Sequence, residues 1–335
     1  MIFAHLFENP WAILALKLGA VLGFFLVAPL VMGYAEHKVL AHMQARLGPM
    51  EAGKFHGWAQ LVADGVKFIQ KEDIIPDAAD RKVFAIAPGV VLVPVILVFL
   101  VLPFGPGPAG DAANGWWGEN LDVGVFFALA ISAISVIGML MAGWSSANKF
   151  SLIGALRGAA QLIAYELPLV LAASAVVMQA GTLSLVGIAQ AQTTYWFILP
   201  QFAGFVIFMM AALAELSRPP FDMPIAESEI IFGHMTEYTG IRFAMFMLAE
   251  YAGVVSLSAI AVVLFLGGWH GVLIPWIPAP VWTLLKIAGL SFVVIWLRAT
   301  YPRLREDQLQ KMAWKYMIPI ALVNVLLTMI FKVVF

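Results

Sequence analysis

Three glutamates lie inside runs of apolar residues that are long enough to cross a membrane. Glu166 stands in Ala-Tyr-Glu-Leu-Pro, Glu215 in Leu-Ala-Glu-Leu and Glu250 in Leu-Ala-Glu-Tyr. An ionisable side chain is costly inside a bilayer, so each marks either a functional site or a structural ion pair or hydrogen bond between helices. A carboxyl group shielded from water can bind and release protons, which is the chemistry of a proton relay. Because the three acids fall on consecutive apolar runs, we favour a polar proton pathway.

The densest group of chemically active side chains lies in the connection at 217–240. Three prolines give this segment a non-helical course, because proline removes a backbone donor and clashes with the preceding turn. Its acids would repel one another without basic partners. They are Asp222, Glu227, Glu229 and Glu237, with Glu215 just before them. A solvated acidic loop is the alternative, but the interspersed Pro, Phe and Ile residues favour a structured binding surface.

The composition indicates which elements must hold these residues. Of the 335 residues, 62% are hydrophobic and only 12% are charged, whereas about a quarter are charged in an ordinary soluble domain. This excludes a soluble enzyme and a disordered chain, and the net charge of −1 offers no basic excess for nucleic acid. The chain has no cysteine, which excludes disulfides, thiolate zinc sites and cysteine-ligated iron–sulfur clusters within it. Electrons would therefore have to reach it through a partner.

Eight apolar runs predict an all-α polytopic membrane protein that forms a single integral membrane domain over 1–335. A spanning helix needs roughly 20 apolar residues. The predicted spans are 11–34, 83–104, 122–143, 159–180, 195–216, 241–266, 281–300 and 314–334. Sixteen of the nineteen Lys and Arg residues fall on one side of this topology. By the positive-inside rule, that side is cytoplasmic and both termini face outward.

The first cytoplasmic loop, 35–82, contains an amphipathic segment. Within 57–71, the polar residues Gln60, Asp64, Lys67 and Lys71 recur at helical spacing and share one face. The segment is too short and too charged to span, so we predict a helix at the membrane surface. It either anchors the loop to lipid or lines a cavity entrance with its polar face.

Ordered blocks along the whole chain carry a resemblance to a known family. They include Gln44-Ala-Arg-Leu-Gly-Pro49, Gly154-Ala-Leu-Arg-Gly-Ala-Ala-Gln161, Pro220-Phe-Asp-Met-Pro224, Glu237-Tyr-Thr-Gly240 and Arg298-Ala-Thr-Tyr-Pro-Arg303. In these blocks the sequence resembles the H subunits of bacterial respiratory complex I, the counterparts of mitochondrial NADH dehydrogenase subunit 1. The resemblance implies a membrane subunit of a proton-pumping NADH:quinone oxidoreductase in the inner (cytoplasmic) membrane.

The resemblance also implies roles for particular residues. A proton relay of buried glutamates would comprise Glu166, Glu215, Glu237 and Glu250. The quinone chamber and its connection to the relay would comprise Glu36, Arg46, Asp64, Asp222, Glu227, Glu229 and Arg298. Quinone would be the substrate, while FMN and the iron–sulfur clusters would belong to peripheral-arm subunits, and no metal site is expected in this chain. Small membrane subunits, antiporter-like subunits and lipid would be its other partners.

The chain departs from the family's pattern at three places. His37 replaces the usual Arg after Glu36, Met50-Glu51 replace Asn-Arg, and Ile225 stands where a Glu is usual. These differences leave the charge pattern of the chamber open. Two alternative functions also stay open. One is a homologous subunit of a ferredoxin- or deazaflavin-linked dehydrogenase or a membrane-bound hydrogenase, and the other is a stand-alone ion-coupled transporter.

Overall fold

The computed structural model describes residues 10–106, 115, 118–271 and 277–334, without the side chains of 227 and 228. Helices joined by turns and loops make up this part of the chain. They are α1 (Pro10–Met43), α2 (Gln60–Gln70), α3 (Arg81–Val101), α4 (Gly124–Ser145), α5 (Lys149–Ala180), α6 (Leu185–Ala191), α7 (Phe202–Glu215), α8 (Glu227–Ile230), α9 (Gly240–Phe265), α10 (Ala279–Thr300), α11 (Glu306–Met312) and α12 (Ile318–Val334). A 3₁₀ turn at Gly233–Met235 precedes α9, and a π-helical turn at Ala313–Met317 joins α11 to α12.

Within the described ranges, seven helical segments are long and apolar enough to cross a membrane. They are α1, α3, α4, α5, α9, α10 and the continuous segment from α11 to α12. The predicted all-α polytopic fold is therefore confirmed. The last spanning segment begins at Glu306 rather than at 314. Two single helices are also longer than predicted: α1 continues to Met43, and α5 begins at Lys149 rather than at 159. Both extensions carry polar residues that hydropathy excluded from the spans, and the first of them places Glu36 inside a helix.

The fifth predicted span, 195–216, is only partly helical. Its helix, α7, has 14 residues, or about 21 Å at 1.5 Å per residue, which is shorter than the roughly 30 Å hydrocarbon core. Irregular backbone at membrane depth needs partners within the protein. Gln192 supplies them, because its Oε1 accepts hydrogen bonds from the backbone N–H groups of Phe197 and Gly267, each at 3.0 Å. Side-chain hydrogen bonds thus hold the chain that leads into α7.

Helix α9 lies at the centre of the bundle. All of its residues from 252 to 265 are buried, and a helix that is apolar on every side is buried by the helices around it. Helices α1, α2, α3 and α10 all contact it. Glu250 comes just before this buried stretch and lines a cavity. The central helix thereby carries one of the predicted relay acids into the bundle.

Two glycines of α5 let the 217–240 loop approach the helix backbone. A Cβ atom at Gly154 would lie 2.6 Å from Cα of Gly233 and 2.8 Å from the carbonyl oxygen of Pro224. One at Gly158 would lie 3.2 Å from Cβ of Pro224. Residues four apart share one helix face, and small residues there permit close backbone approach. The Gly154-x-x-x-Gly158 pattern therefore sets how near the loop lies to α5.

Side chains further along α5 bind the backbone of the segments that pack on it. Nε2 of Gln161 donates to the carbonyl oxygens of Ala214 and Phe221, at 2.6 and 2.8 Å. The hydroxyl of Tyr165 donates to the carbonyl oxygen of Leu309, at 2.9 Å. Ala214 lies in the last turn of α7, where carbonyl groups lack helical partners. Helix α5 thus holds the end of α7, the start of the proline-rich connection that follows it, and α11.

Helix α2 occupies the predicted amphipathic segment, and none of its residues is buried. Gln60 and Lys67 both donate to the carboxylate of Asp64, at 3.2 and 2.9 Å, so the predicted polar face is present. On the apolar side, Leu61 packs so closely on α1 that a Cβ atom at Gly33 would lie 2.8 Å from its Cδ1. Helix α2 therefore rests on the bundle through apolar contacts.

Candidate functional site

Four charged side chains from three helices and one loop meet inside the bundle. Nη1 of Arg218 lies 2.9 and 2.7 Å from the two carboxylate oxygens of Glu36, and Arg298 of α10 pairs with the same carboxylate. Nε of Arg218 lies 2.8 Å from Oε1 of Glu250. Arg218 and Glu36 are each 2% exposed, a depth at which charges must be paired. We call these four residues the buried charge cluster.

The guanidinium of Arg218 is the centre of this cluster. It lies 4.7 Å from the ring centre of Tyr251, at a distance where a cation is attracted by the aromatic face. Its contact with Glu250 is an ion pair rather than an aligned hydrogen bond, and among the described residues Nη2 has no hydrogen-bond partner. Arg218 thus holds Glu36 by two hydrogen bonds and Glu250 by an ion pair.

The buried charge cluster joins residues for which the family resemblance implies two different roles. Glu36 and Arg298 were predicted for the quinone chamber, and Glu250 for the relay. Arg218 connects them and was not predicted as a site residue. Its signal in the sequence is that it is the only Arg or Lys in the acidic segment 217–240. A single basic residue among several acids is expected to pair with more than one of them.

A cavity of about 110 Å³ lies beside the cluster, between α3, α4 and α9. Two of the predicted relay acids, Glu215 and Glu250, line it. Its hydroxyl groups come from four serines, namely Ser132, Ser135, Ser217 and Ser256. A space of this size holds several water molecules where polar groups are present to bind them. The cavity thus offers these two carboxyl groups a common space that water can enter.

A second, smaller cavity shares part of its lining with the first. Its volume is about 10 Å³, close to the space that one water molecule occupies. Glu166 and Glu215 both line it, together with Ser132 and Ser135. Since Glu215 lines both cavities, the structure orders three of the predicted relay acids as Glu166, Glu215 and Glu250.

Glu237, the fourth acid predicted for the relay, lies apart from these cavities. Its Oε1 accepts a hydrogen bond of 2.5 Å from Nδ2 of Asn148, and Asn148 also caps the N-terminus of α5. The next residue, Tyr238, stacks on Phe84 with ring centres 4.0 Å apart. Glu237 lines neither cavity. Its described contacts therefore tie the loop to α5.

Glu229 fastens the 217–240 loop to two other segments. Its carboxylate lies 2.6 Å from Nη1 of Arg157 and 3.4 Å from Nη1 of Arg303. The hydrogen bond from Arg157 holds the pKa of Glu229 below its ordinary value; burial raises the pKa by less, and the charge of Arg303 adds to the lowering. Asp222 is half-buried. The side chain of Glu227, also predicted for the chamber, lies outside the described residues.

The two remaining chamber predictions, Arg46 and Asp64, lie towards the surface. Arg46 is exposed, and its Nε donates to Oε1 of Gln44 at 2.8 Å. Burial raises the pKa of Asp64, but the hydrogen bonds from Lys67 and Gln60 more than offset this, so that the pKa is lowered overall. Within the part of the chain that is described, no hydrogen bond or ion pair joins Arg46 or Asp64 to the buried charge cluster.

The sequence is similar to proteins of one family along nearly its whole length. The profile of the family described as NADH dehydrogenase matches residues 16–329. The H subunit of the NADH-quinone oxidoreductase of Geobacillus kaustophilus is 45% identical over 326 residues, which cover 96% of each chain. The H subunit numbered 2 of Syntrophobacter fumaroxidans is 46% identical over 323 residues, covering 94% of this chain and 95% of the relative. The H subunit of Bacillus mycoides is 45% identical over 321 residues, covering 96% and 93%.

Proposed function

This chain belongs to the NADH dehydrogenase family and is a membrane subunit of NADH:quinone oxidoreductase, and on that premise we propose that it forms much of the quinone chamber and couples quinone reduction to proton translocation. One observation carries the proposal. Arg218 contacts Glu36, predicted for the chamber, and Glu250, predicted for the relay. A shared cation of this kind lets a change of charge at one carboxylate act on the other.

The chamber is where quinone would be reduced to quinol, with two electrons from a partner's iron–sulfur cluster and two protons. Negative charge that develops on quinone in a low-dielectric space interacts strongly with nearby charges. Arg298 and Glu36, on the chamber side of the buried charge cluster, would feel that charge first. The other residues that we assign to the chamber and its entrance are Arg46, Asp64, Asp222, Glu227 and Glu229.

The coupling step would run through Arg218. If quinone reduction draws Arg218 and Arg298 towards the new negative charge, the attraction between Arg218 and Glu250 weakens. A carboxylate that loses a nearby cation binds a proton more readily. Glu250 would then take a proton from the water of the adjoining cavity, and Glu215 and Glu166 would pass the change onward. A coupling free energy between two sites acts equally in both directions, so the protonation of Glu250 also affects the chamber.

The location and partners of the chain follow from the same proposal. It would lie in the inner (cytoplasmic) membrane, with its basic loops on the cytoplasmic side and both termini outside. Peripheral-arm iron–sulfur subunits would contact the cytoplasmic loops. Small membrane subunits and antiporter-like subunits would continue the relay from Glu166 within the membrane.

The relay can be tested in the assembled complex reconstituted into vesicles. Replacing Glu166, Glu215 or Glu250 by Gln keeps the shape of the side chain and removes its proton. We expect each variant either to lower the rate of quinone reduction about tenfold or more, or to reduce quinone without pumping protons. Glu119→Gln is the matched control, because Glu119 is exposed in the connection before α4. Wild-type turnover and pumping in all three variants would rule the relay out.

A further inference from the structure

A buried histidine shares the larger cavity with two relay acids. His234 lies on the 3₁₀ turn that precedes α9, is 5% exposed, and lines the cavity with Glu215 and Glu250. Its Nδ1 atom is buried and has no hydrogen-bond partner among the described residues. Leaving a buried polar atom unpaired costs stability, so its presence calls for an explanation. A proton-binding role in the cavity supplies one.

Close packing fixes the ring of His234 at the cavity wall. Gly233, the preceding residue, has φ +52° and lies so near Pro224 that a Cβ atom there would be 1.8 Å from the Pro224 carbonyl oxygen. The close approach of Gly154 on α5 holds the same turn. The imidazole ring meets Phe246 edge to face, with ring centres 5.5 Å apart. The ring therefore stays within reach of the cavity.

Burial, rather than a neighbouring charge, sets the protonation state of His234 in the resting structure. Burial lowers its pKa to about 4, so the ring is neutral at pH 7 in the resting structure. The titratable groups that line the same cavity are Glu215 and Glu250, and Arg218 contacts Glu250. A carboxylate that becomes charged beside an imidazole favours its protonated form. The histidine would thus gain a proton when a neighbouring glutamate loses one.

We infer that His234 is a third proton carrier of this cavity, which accepts a proton from cavity water or from Glu215 or Glu250 during quinone reduction and returns it later in the same turnover. The inference rests on the proposed relay and adds a residue to it. No bond other than that to the proton forms or breaks.

Two substitutions separate proton binding from the other uses of this side chain. His234→Phe keeps a ring against Phe246 but cannot bind a proton, whereas His234→Gln keeps hydrogen bonding to water without the ring. We expect both variants to assemble with their partner subunits and to lower the turnover of quinone reduction about tenfold, with KM for quinone unchanged. The solvent hydrogen-isotope effect on turnover should rise in both, because proton transfer becomes slower.

The controls separate this inference from the relay itself. His42→Gln removes an exposed histidine of α1 and should leave turnover unchanged. Wild-type turnover in His234→Phe would show that the residue only packs, and wild-type turnover in His234→Gln would show that it only donates or accepts hydrogen bonds. Either result overturns the inference, while losses in Glu215→Gln and Glu250→Gln would still support the relay. If His234→Phe fails to assemble, His234→Gln alone decides the matter.

Discussion

Nη1 of Arg218 lies 2.7 Å from Oε2 of Glu36, although the two residues are 182 positions apart in the chain. Both side chains are almost completely buried, and each has a second partner of opposite charge: Arg298 for Glu36 and Glu250 for Arg218. Two bases and two acids leave the group formally neutral. Neutrality and mutual pairing are what make such a group tolerable inside a membrane protein.

Removing the central cation should destabilise the chain. Arg218→Met leaves Glu250 without this partner and Glu36 with Arg298 alone. Breaking a buried ion pair from one side costs about 3–5 kcal/mol, so we expect a clear fall in the thermal denaturation midpoint of the purified complex. Adding Glu250→Gln to Arg218→Met should recover part of the loss, because the uncompensated charge of Glu250 disappears while Glu36 keeps its pair with Arg298. A single variant as stable as wild type would contradict the burial of this pair.

Substitutions of Glu237 and Glu250 should differ in their effect on the turnover of quinone reduction. Glu250 lines the larger cavity, whereas Glu237 accepts a hydrogen bond from Asn148 that Gln can still accept. We expect Glu250→Gln to lower quinone reduction about tenfold or more, and Glu237→Gln to lower it by less than about threefold. Turnover and pumping of both complexes, measured side by side, test this. Equal losses would place Glu237 in the proton path by a connection outside the two cavities.

Gly154 should not tolerate a side chain. In Gly154→Ala the new Cβ would lie 2.6 Å from Cα of Gly233, so the loop must move away from α5. Forcing extra atoms into packed regions costs about 1–3 kcal/mol, and we expect a lower thermal midpoint and faster hydrogen exchange in 217–240. The control is Gly89→Ala in α3, where nothing lies within 4 Å of the added atom. That change should be neutral or slightly stabilising, because Ala favours helices over Gly.

Glu229 should govern the mobility of the loop more than the stability of the protein. It is half-exposed, and exposed ion pairs contribute only about 0.2–1 kcal/mol. We therefore expect Glu229→Gln to leave the thermal midpoint nearly unchanged while speeding backbone hydrogen exchange in 217–240. Glu306→Gln is a matched control, since Glu306 lies 3.8 Å from Arg157 and does not belong to the loop.

The attachment of the 217–240 loop through Glu229 should depend on pH in a defined direction. The pKa of Glu229 is lowered in the folded chain, mainly by the hydrogen bond from Arg157. Its contribution is complete above the ordinary carboxyl pKa of about 4.3 and is lost as the pH falls through the lowered value. Wild-type exchange in the loop should therefore approach that of Glu229→Gln only in acid. If hydrogen exchange in the loop already becomes faster between pH 7 and 6, a group other than Glu229 controls the attachment.

Much of the architecture could be predicted from local patterns. Apolar runs predicted seven of the spanning segments, because membrane insertion depends mainly on the composition of each run. The same reasoning overestimated the helical part of 195–216, since hydropathy does not record whether an apolar segment is helical or is held by a side chain such as Gln192. It also ended α1 too early, before the polar residues from Glu36 onward.

The candidate site could be predicted only in part. Glu166, Glu215 and Glu250 stood out because an acid in an apolar run is rare, and the structure brings them to two adjoining cavities. Arg218 and His234 were missed as site residues, because each lies in a polar connection where a charged or titratable residue is ordinary. Their significance depends on what packs around them.

The sequence by itself determined that the chain is a helical membrane protein, which family it resembles and which acids lie in unfavourable surroundings. These properties are encoded in residues that are neighbours along the chain. Only the tertiary structure decided which charges meet. Arg218, Glu36, Glu250 and Arg298 come from separate elements, and their pairing follows from the way α1, α9 and α10 bring their charged side chains together at Arg218 and Glu36. Because the strength of an ion pair depends on distance and burial, and both are set by that packing, the connection between chamber and relay becomes visible only in the folded chain.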